Sequence, residues 1–451
     1  MTTANLLLHF SAQGAYGPGG KELLVLDRAE GSHVFDTAGR RYVDGLSSLF
    51  CAQIGYSFGE EMAAVAGEQL TRLPFNTNWG TAHPPAIELA ETLVELAPEG
   101  IESVFFTSGG SEAVEAAWKL ARQYHLVNGE PQRHKAIARV IAYHGVTLGA
   151  LSFTGVPRFK EPFGEPAIPT RHVSNTNPFR SGLQGEELTA SLLAELEEAI
   201  EQEGPDEVAI VIAEPIQNAG GCLVPPPGYW RGMREICDRH GILLVADEVI
   251  SGCGRLGEWF ASARYEARPD LITIAKGLTS AYAPMGAALA GEKVTEALRK
   301  PGVTLLHGIT FGGHPLCAAI ALKNIEIFAR EGVLENVRRL EPYLRRRLQE
   351  EVLSLPIVGD VRGDGFFFAA ELTPDGGEGR FAPDQVAKLV KDIVPRLLLE
   401  HGLIARADDR GDPVLQIAPP LVADEAVLDE VVLAMRAVLA EAGEELARES
   451  D

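Results

Sequence analysis

Two charged side chains follow apolar segments that have the composition of buried strands. Lys276 comes directly after LITIA at 271–275, and Asp247 follows ILLVA at 242–246. Burying either charge is costly unless a partner neutralises it or a reaction removes it. The alternatives are a lysine whose amine reaches solvent along its alkyl chain and an aspartate in a structural ion pair. Both residues are therefore candidates for a reactive site that further residues must complete.

Other apolar runs are also followed by polar or small residues. These residues are Gly109, Gly110 and Ser111 after VFFT, Tyr143 and His144 after AIARVIA, and Glu214 after EVAIVIA. Glycines and a serine that open a helical pattern suit an anion, although an ordinary helix cap is the more common explanation for them. The tyrosine ring could stack on a planar ligand or lie in the core. Ligands in open α/β sheets bind beyond the carboxyl ends of the strands, so these residues are expected at one edge.

An anion-binding turn, an aromatic ring, a buried carboxylate and a buried lysine together meet the needs of pyridoxal 5′-phosphate. The aldehyde of this cofactor condenses with a lysine amine, so a Schiff base would remove the charge of Lys276. The pyridine nitrogen needs an opposite charge to remain protonated, which suits Asp247. The combination therefore predicts a cofactor site rather than unrelated structural residues.

The segments that carry these residues resemble the class III aminotransferases. The similar segments are FFTSGGSEAVEAAWKLAR, AYHGVTLGALS, AEPIQNAGG, LLVADEVISGCGRLGEWFA, PDLITIAKGLTSAYAPMGA and HGITFGGHPLCAAIAL. Within that family the chain looks most like the ω-transaminases, or amine:pyruvate aminotransferases. The resemblance runs from about residue 30 to 440. It implies a fold type I, aspartate aminotransferase-like α/β architecture.

The resemblance implies how the cofactor's phosphate and ring are held. Gly110 and Ser111 would hold the phosphate, and Gly109 stands where the family often has a serine. The missing hydroxyl bears on how well the cofactor is retained. Tyr143 would stack on the ring, with Val249 against its opposite face.

Further cofactor contacts follow from the same resemblance. Lys276 would carry the Schiff base and Asp247 would pair with the pyridine nitrogen. Glu214 and His144 would lie around the ring. Thr310, in HGITFGGHP, would reach the phosphate of the neighbouring subunit, which implies a homodimer with shared sites or a dimer of such dimers.

The resemblance also implies a substrate pocket with one cation. Arg406, in GLIARADDRGDPVLQIAPPL, would bind a substrate carboxylate, although Arg410 is close enough in sequence to be an alternative. Leu49 and Phe50 would line the pocket, and Trp79 would come from the partner subunit. Phe50 replaces a tryptophan that is common among ω-transaminases, which should widen the pocket.

The leading prediction is a transaminase that moves an amino group from a primary amine or ω-amino acid to pyruvate by a ping-pong mechanism. The alternatives within transaminases are β-alanine, 4-aminobutyrate, diamine and diaminononanoate enzymes. A lyase or aminomutase on the same fold is a second class of enzyme. A binding protein on an inactive scaffold is the non-enzymatic alternative.

The composition and net charge of the chain limit the kinds of partner that it can bind. The chain has 451 residues and a net charge of −23, from 63 acidic and 40 basic residues, which argues against a nucleic-acid-binding surface. The five cysteines form no CxxC pair and have no histidine at zinc-ligand spacing, so no metal site is expected. No apolar run reaches about 18 residues and no basic leader precedes one, which predicts a cytoplasmic protein that spans no membrane.

The elements that position these residues follow from the hydrophobic pattern. Between residues 61 and 320, apolar runs alternate with amphipathic stretches, which is typical of buried parallel strands connected by helices. The resemblance implies that this large domain contains a mostly parallel seven-stranded sheet. Residues 1–60, with a hairpin around Ala38 and Gly39, and residues 321–451 are expected to form a smaller α+β domain.

Overall fold

The computed structural model describes residues 5–16, 20 and 23–450. The strands of this part of the chain are β1 (Leu26–Glu30), β2 (His33–Asp36), β3 (Arg41–Asp44), β4 (Ile101–Thr107), β5 (Lys135–Arg139), β6 (Thr170–Val173), β7 (Val208–Ala213), β8 (Leu243–Asp247), β9 (Leu271–Ile274), β10 (Gly286–Gly291), β11 (Val358–Asp364), β12 (Phe367–Leu372), β13 (Leu403–Ile404), β14 (Arg406–Asp408) and β15 (Val414–Ile417). They form three separate sheets among the described residues.

The helices surround these sheets. They are α1 (Ser47–Phe50), α2 (Gly59–Arg72), α3 (Pro84–Leu96), α4 (Gly110–Val127), α5 (Leu148–Phe153), α6 (Pro157–Lys160), α7 (Pro178–Ser181), α8 (Gly185–Glu203), α9 (Tyr229–His240), α10 (Ala261–Arg264), α11 (Glu292–Leu298), α12 (Pro315–Arg330), α13 (Val333–Glu351), α14 (Pro383–Lys388), α15 (Val394–Glu400) and α16 (Glu425–Ser450). Short 3₁₀ turns occur at Gln13–Ala15, Glu161–Phe163 and Lys276–Leu278, and a π-turn joins α14 to α15 at Leu389–Ile393.

The central sheet has seven strands in the order β4-β10-β9-β8-β7-β5-β6. Strands β9, β8, β7, β5 and β6 pair in parallel, as predicted. The exception is β10, from the segment MGAALAG, which is antiparallel to both of its neighbours. The connection from β9 to β10 carries only a 3₁₀ turn, so it lacks the crossover helix that a parallel pair requires.

Both faces of the central sheet are buried, which explains the continuous apolar runs of its strands. In β8, Leu243 and Val245 pack in the cluster with α4 and α5, whereas Leu244 and Ala246 pack in the cluster with α3, α8 and α9. Side chains alternate between the faces of a strand, so each residue serves one helical layer. The sheet is thus a rigid middle layer whose strand ends are fixed in space.

Two smaller sheets lie outside the central one. The predicted hairpin is confirmed, because β2 and β3 pair antiparallel around a turn in which Asp36 accepts hydrogen bonds from the amides of Ala38 and Arg40. Strand β3 also pairs in parallel with β13, which joins the N-terminal and C-terminal segments. The third sheet, β11-β12-β15-β14, is antiparallel and comes entirely from the C-terminal segment. The boundaries at residues 60 and 320 remain a prediction.

The described helices include none that combines the length and apolarity needed to cross a membrane. Among the described residues, there is also no cluster of three or more histidine, cysteine, aspartate or glutamate side chains that could hold a metal ion.

Candidate active site

Most of the predicted site residues meet in one cavity beyond the carboxyl ends of β5, β7, β8 and β9. The cavity has a volume of about 220 Å³. Its lining residues are Leu49, Gly110, Ser111, Tyr143, His144, Gly145, Glu214, Ile216, Asp247, Val249, Ile250, Ser251 and Lys276. The predicted residues that are not in this lining are Gly109, which directly precedes Gly110 in the chain, and Phe50, Trp79, Thr310 and Arg406.

Lys276 lies two residues beyond the end of β9, where the chain turns sharply. Its φ is +44°, a left-handed conformation that is uncommon for a residue with a side chain. The turn is held by Asn324, whose amide donates to the carbonyls of Gly277 and Leu278 at 2.9 and 3.1 Å. Burial lowers the pKa of the Lys276 amine. The amine is therefore shifted towards its neutral, nucleophilic form.

Asp247 ends β8 and is 4% exposed. Its Oδ2 accepts a hydrogen bond from Nδ1 of His144 at 2.7 Å, and its Oδ1 accepts from Oγ1 of Thr273 at 2.9 Å. Oδ1 also lies 3.2 Å from the amide of Val249. These contacts fix the carboxylate at the floor of the cavity. Thr273 was not predicted from the sequence, although it is the only polar residue in LITIA.

Glu214 positions the backbone of Tyr143. Its Oε1 accepts from the Tyr143 amide at 3.1 Å and its Oε2 accepts from the Asn218 amide at 2.9 Å. Burial raises the pKa of this carboxyl group. The contact is needed because β5 ends at Arg139, earlier than the apolar run predicted, and the chain turns at Ile141 with a φ of +55°. Tyr143 therefore lies in the segment that follows this turn and not at the end of the strand.

The predicted anion-binding turn lies at the start of the 18-residue helix α4. Glycine is required at two points: a Cβ on Gly110 would lie 2.8 Å from Cγ1 of Val249, and one on Gly145 would lie 2.4 Å from Oγ of Ser111. The Ser111 hydroxyl accepts a hydrogen bond from the Val146 amide at 3.2 Å. The capping interpretation also holds in part, since Glu112, further along the same helix, accepts from the Ser108 amide. Helix amides and a hydroxyl at this point favour a phosphate.

The segment Ser47–Phe50 closes one side of the site in a strained conformation. Ser47, Ser48 and Phe50 all have φ between +48° and +62°. Buried Asp44 accepts from the amides of Leu46 and Ser48, which holds the turn in place. Strain of this kind persists only where surrounding contacts impose it.

The two pocket residues predicted in this segment have different positions. Leu49 is 52% exposed and lines the cavity. Phe50 is 1% exposed and packs edge-on against Phe367, with ring centroids 5.7 Å apart. Nζ of Lys276 lies 5.9 Å from the Phe50 ring centroid. Phe50 therefore supports the lysine from the core side.

Two arginines and one aspartate stand beside Tyr143. Arg406 opens β14 and its side chain is 29% exposed, whereas the Arg410 and Asp408 side chains are 2% and 3% exposed. The guanidinium carbon of Arg410 lies 5.4 Å from the Tyr143 ring centroid. Burial and then the positive charge of Arg410 lower the pKa of Arg406 to about 10. Arg406 is thus the more accessible of the two candidate cations.

Trp79 and Thr310 lie at a second, larger cleft of about 880 Å³. Trp79 lines this cleft and is 63% exposed; a Cβ on Gly308 would lie 2.7 Å from the Trp79 ring. Thr310 is exposed between two residues of the lining, Ile309 and Gly312. Neither residue lines the cavity that contains Lys276. Both are therefore placed on one surface away from the Lys276 of their own chain.

The residues of the smaller cavity fit pyridoxal 5′-phosphate. The glycine at 110, which a Cβ would crowd against Val249, leaves backbone amides free to approach a phosphate. Asp247 supplies a fixed negative charge and Lys276 supplies an amine whose pKa is lowered by burial. The arrangement offers an anion site, a ring site and an amine within one cavity.

The comparisons with known sequences agree over nearly the whole chain. The profile of the aminotransferase class-III family matches residues 15–439. A probable aminotransferase of Mycobacterium tuberculosis is 48% identical, covering 98% of this chain and 94% of its own length. A putrescine–pyruvate aminotransferase of Pseudomonas aeruginosa is 39% identical, covering 92% of this chain and 90% of its own.

A solved structure shares the fold. The (S)-enantioselective omega-transaminase from Thermomicrobium roseum superposes with a TM-score of 0.92 at 38% identity, covering 97% of each chain. The seven-stranded sheet, the separate smaller sheet and the cavity at the strand ends are consistent with these matches. The chain belongs to the class III aminotransferases, which are enzymes that depend on pyridoxal 5′-phosphate.

Proposed function

We propose that this aminotransferase moves an amino group from a primary amine to pyruvate in two successive half-reactions at the Lys276 cavity. The observation that carries the proposal is the partly accessible cation Arg406, which stands beside a site whose open edge is formed by Leu49. An apolar amine suits the apolar edge and a small keto acid suits the cation. The name of the Pseudomonas aeruginosa relative, a putrescine–pyruvate aminotransferase, supports an amine donor and pyruvate as the acceptor.

The cofactor supplies an electrophilic carbonyl and an electron-withdrawing ring. We assign its phosphate to Gly109, Gly110 and Ser111, and its ring faces to Tyr143 and Val249. Helix amides and a hydroxyl provide the charge complement for the phosphate. A Cβ at position 110 would crowd Val249, so only glycine at this position keeps the start of α4 close to the proposed ring site.

Asp247 is assigned to the ring nitrogen. The hydrogen bonds from His144 and Thr273 keep both carboxylate oxygens oriented, so little reorganisation is needed when a positive ring nitrogen approaches. Glu214 holds Tyr143 in place through the backbone. Thr310 is assigned to the phosphate in the site of the neighbouring subunit, together with Trp79 at its substrate pocket.

Lys276 is assigned the proton transfers of each half-reaction. Its amine can take a proton from the substrate carbon that carries nitrogen and return it on the cofactor side. The lowered pKa favours the neutral amine that such a base requires. Cys51, Asp247 and Glu214 are negatively charged or ionisable neighbours that limit this lowering.

Product analysis tests the reaction class. A set of primary amines, ω-amino acids and diamines is supplied with pyruvate or with 2-oxoglutarate, and alanine or glutamate is quantified. The proposal predicts alanine formed in equal amount to the deaminated donor, with pyruvate preferred. A lyase or aminomutase would convert substrate without producing alanine from pyruvate.

Substitution of Arg406 tests the acceptor assignment. Arg406→Ala should raise the KM for pyruvate by about one to two decades, because a charge-assisted carboxylate contact is worth about 1.5–3 kcal/mol. The half-reaction with an aryl-alkyl amine should be nearly unchanged in single-turnover measurements. Arg380→Ala is the matched control, since Arg380 is 63% exposed and pairs with Asp412 at 3.0 Å. Equal losses in both half-reactions of Arg406→Ala would mean that this residue only supports the architecture.

A further inference from the structure

Asp408 lies between Arg406 and Arg410 and interacts with both. Nε of Arg410 donates to Oδ1 and Oδ2 of Asp408 at 2.9 and 2.7 Å, and a terminal nitrogen of Arg410 also donates to Oδ2. The Arg410 amide donates to Oδ1 at 3.0 Å. Nε of Arg406 lies 3.6 Å from Oδ2, which is beyond hydrogen-bond distance. One carboxylate is therefore shared very unequally by two cations.

The unequal sharing leaves one positive charge without a close partner in this cluster. Arg410 and Asp408 are both almost fully buried, so their pair is shielded from water. Burial raises the pKa of Asp408, but the positive charges of Arg410 and Arg406 lower it by more. The net change is a decrease, which keeps the carboxylate ionised. Two cations and one anion leave a net charge of +1. That charge is concentrated on the more accessible Arg406.

The neighbouring acids do not compensate Arg406 directly. Asp409 forms an ion pair with Arg158. Asp412 forms ion pairs with Arg180 at 3.1 Å and Arg380 at 3.0 Å. Asp408 is thus the described carboxylate placed to compete with a substrate for Arg406.

We propose that Arg410 is a positioning residue that holds the Asp408 carboxylate away from Arg406, so that Arg406 remains available for the carboxylate of the amino acceptor. This inference rests on the proposed function, in which Arg406 binds that carboxylate. Without Arg410, Asp408 would turn its oxygens to Arg406 and form the paired contact itself. The acceptor would then have to displace an intramolecular carboxylate before binding.

The proposal predicts opposite effects for the two members of the pair. Arg410→Met should raise the KM for pyruvate about tenfold, because a charge-assisted contact must be broken first. Asp408→Asn should lower the KM for pyruvate, since the competing charge is gone. The double variant Arg410→Met/Asp408→Asn should return the KM for pyruvate close to that of the parent, because it removes both the competing carboxylate and the arginine that restrains it.

The holoenzyme variants are compared by steady-state kinetics at several pyruvate concentrations and by single turnover with an aryl-alkyl amine. The KM for pyruvate should change while kcat and the amine half-reaction stay near the parent values. Arg380→Met is the matched control, because it removes an arginine paired with Asp412 at the surface. If Arg410→Met does not fold, as judged by thermal denaturation, Arg410→Lys replaces it. A lysine cannot engage both oxygens, so the KM should still rise, by a smaller factor.

Two outcomes overturn the inference. A double variant in which the losses add, with no recovery of the KM, would show that the pair only supports the fold. An unchanged KM for pyruvate in Arg410→Met, or in the Arg410→Lys replacement, would show that Asp408 does not compete for Arg406. Failure of the proposed function is distinguishable, because in that case Arg406→Ala itself would leave the pyruvate half-reaction unchanged.

Discussion

The Gly109 backbone offers a direct way to change the proposed phosphate site. Its φ is −178°, an extended conformation that any residue can adopt, and a Cβ built there has no described atom within 4 Å. Gly109→Ser should therefore add a hydroxyl to the start of α4 without strain. We expect slower loss of pyridoxal 5′-phosphate on dialysis, by several-fold, because a phosphate would gain one more donor. Absorbance of the retained cofactor measures the effect.

Gly110→Ser is the matched control for this substitution. The same side chain one position later would place its Cβ 2.8 Å from Cγ1 of Val249. It should weaken retention of the cofactor, because the crowded side chain must displace the wall of the ring site. Equal retention by Gly109→Ser and the parent would contradict the assignment of this turn to the phosphate.

At the scale of residues, the sequence predicted which side chains line the cavity better than it predicted the contacts those side chains make. Lys276 and Asp247 were recognisable because a charge at the end of an apolar strand needs a reason. The hydrogen bond from His144 to Asp247 joins residues far apart in the chain, so no spacing revealed it. The pairing of Arg410 with Asp408 depends on which way a loop turns, and the sequence left Arg406 and Arg410 as alternatives.

At the scale of elements, Glu248 connects β8 to the short helix α10. This buried carboxyl group accepts hydrogen bonds from the amides of Ala261 and Ser262 and from the Ser262 hydroxyl. It therefore caps the start of α10 and fixes the chain that follows Asp247. Burial raises its pKa from 4.5 to about 7.

The raised pKa of Glu248 predicts a pH-dependent stability. The folded protein binds this proton more tightly than the unfolded chain, so the free energy of unfolding should fall as pH rises from 4.5 to about 7. The contribution is at most about 3.5 kcal/mol, at about 1.4 kcal/mol for each unit of pKa. Glu248→Gln should flatten the dependence in that interval. Urea unfolding of the holoenzyme across the interval, followed by tryptophan fluorescence, measures it.

Glu258→Gln is the control for the pH experiment. The Glu258 side chain is 43% exposed and pairs with Arg338 at 3.1 Å, so its removal should leave the slope unchanged. If Glu248→Gln keeps the full slope of the parent between these pH values, the titrating group lies elsewhere and the role of Glu248 as a protonated cap is wrong.

Most of the strands and helices were predictable from the sequence, and each wrong prediction has a local physical cause. The apolar runs predicted the strands of the central sheet because both faces are buried. The run AIARVIA did not reveal that β5 ends at Arg139, since the turn at Ile141 depends on a contact with the distant Gly155. Strand β10 runs antiparallel to β9 because the connection between them is too short for a crossover helix. The hydrophobic pattern alone does not distinguish such a connection from one that contains a helix.

At the scale of the molecule, the separation of Thr310 and Trp79 from the Lys276 cavity suits a shared site. We propose that both residues complete the cavity of a second copy of the chain. A hybrid dimer of Lys276→Ala and Thr310→Ala chains then contains one site with both parent residues. Random exchange of subunits makes about half of the dimers hybrid, and each hybrid has one of its two sites intact. Mixing the two variants should therefore restore up to about a quarter of the parental activity.

A control separates this exchange from simple addition of activities. Lys276→Ala mixed with Asp247→Asn should restore less, because the hybrid site that keeps Lys276 still carries the altered Asp247 of the same chain. The absence of recovery in the Thr310 mixture, when exchange of subunits is shown by a tag, would mean that Thr310 acts within its own chain. The resemblance alone indicated this sharing; hydrophobic pattern and spacing could not place a residue in a partner's site.

The identity of the reactive lysine is the most direct test of the whole account. Borohydride treatment of the yellow holoenzyme, followed by peptide mapping, should find the pyridoxyl group fixed on Lys276, and Lys276→Ala should keep the fold and lose turnover. We expect this result because the turn after β9 places the Lys276 amine at the cavity and burial lowers the pKa of that amine. A pyridoxyl label on any other lysine, or normal turnover by Lys276→Ala, would contradict the account.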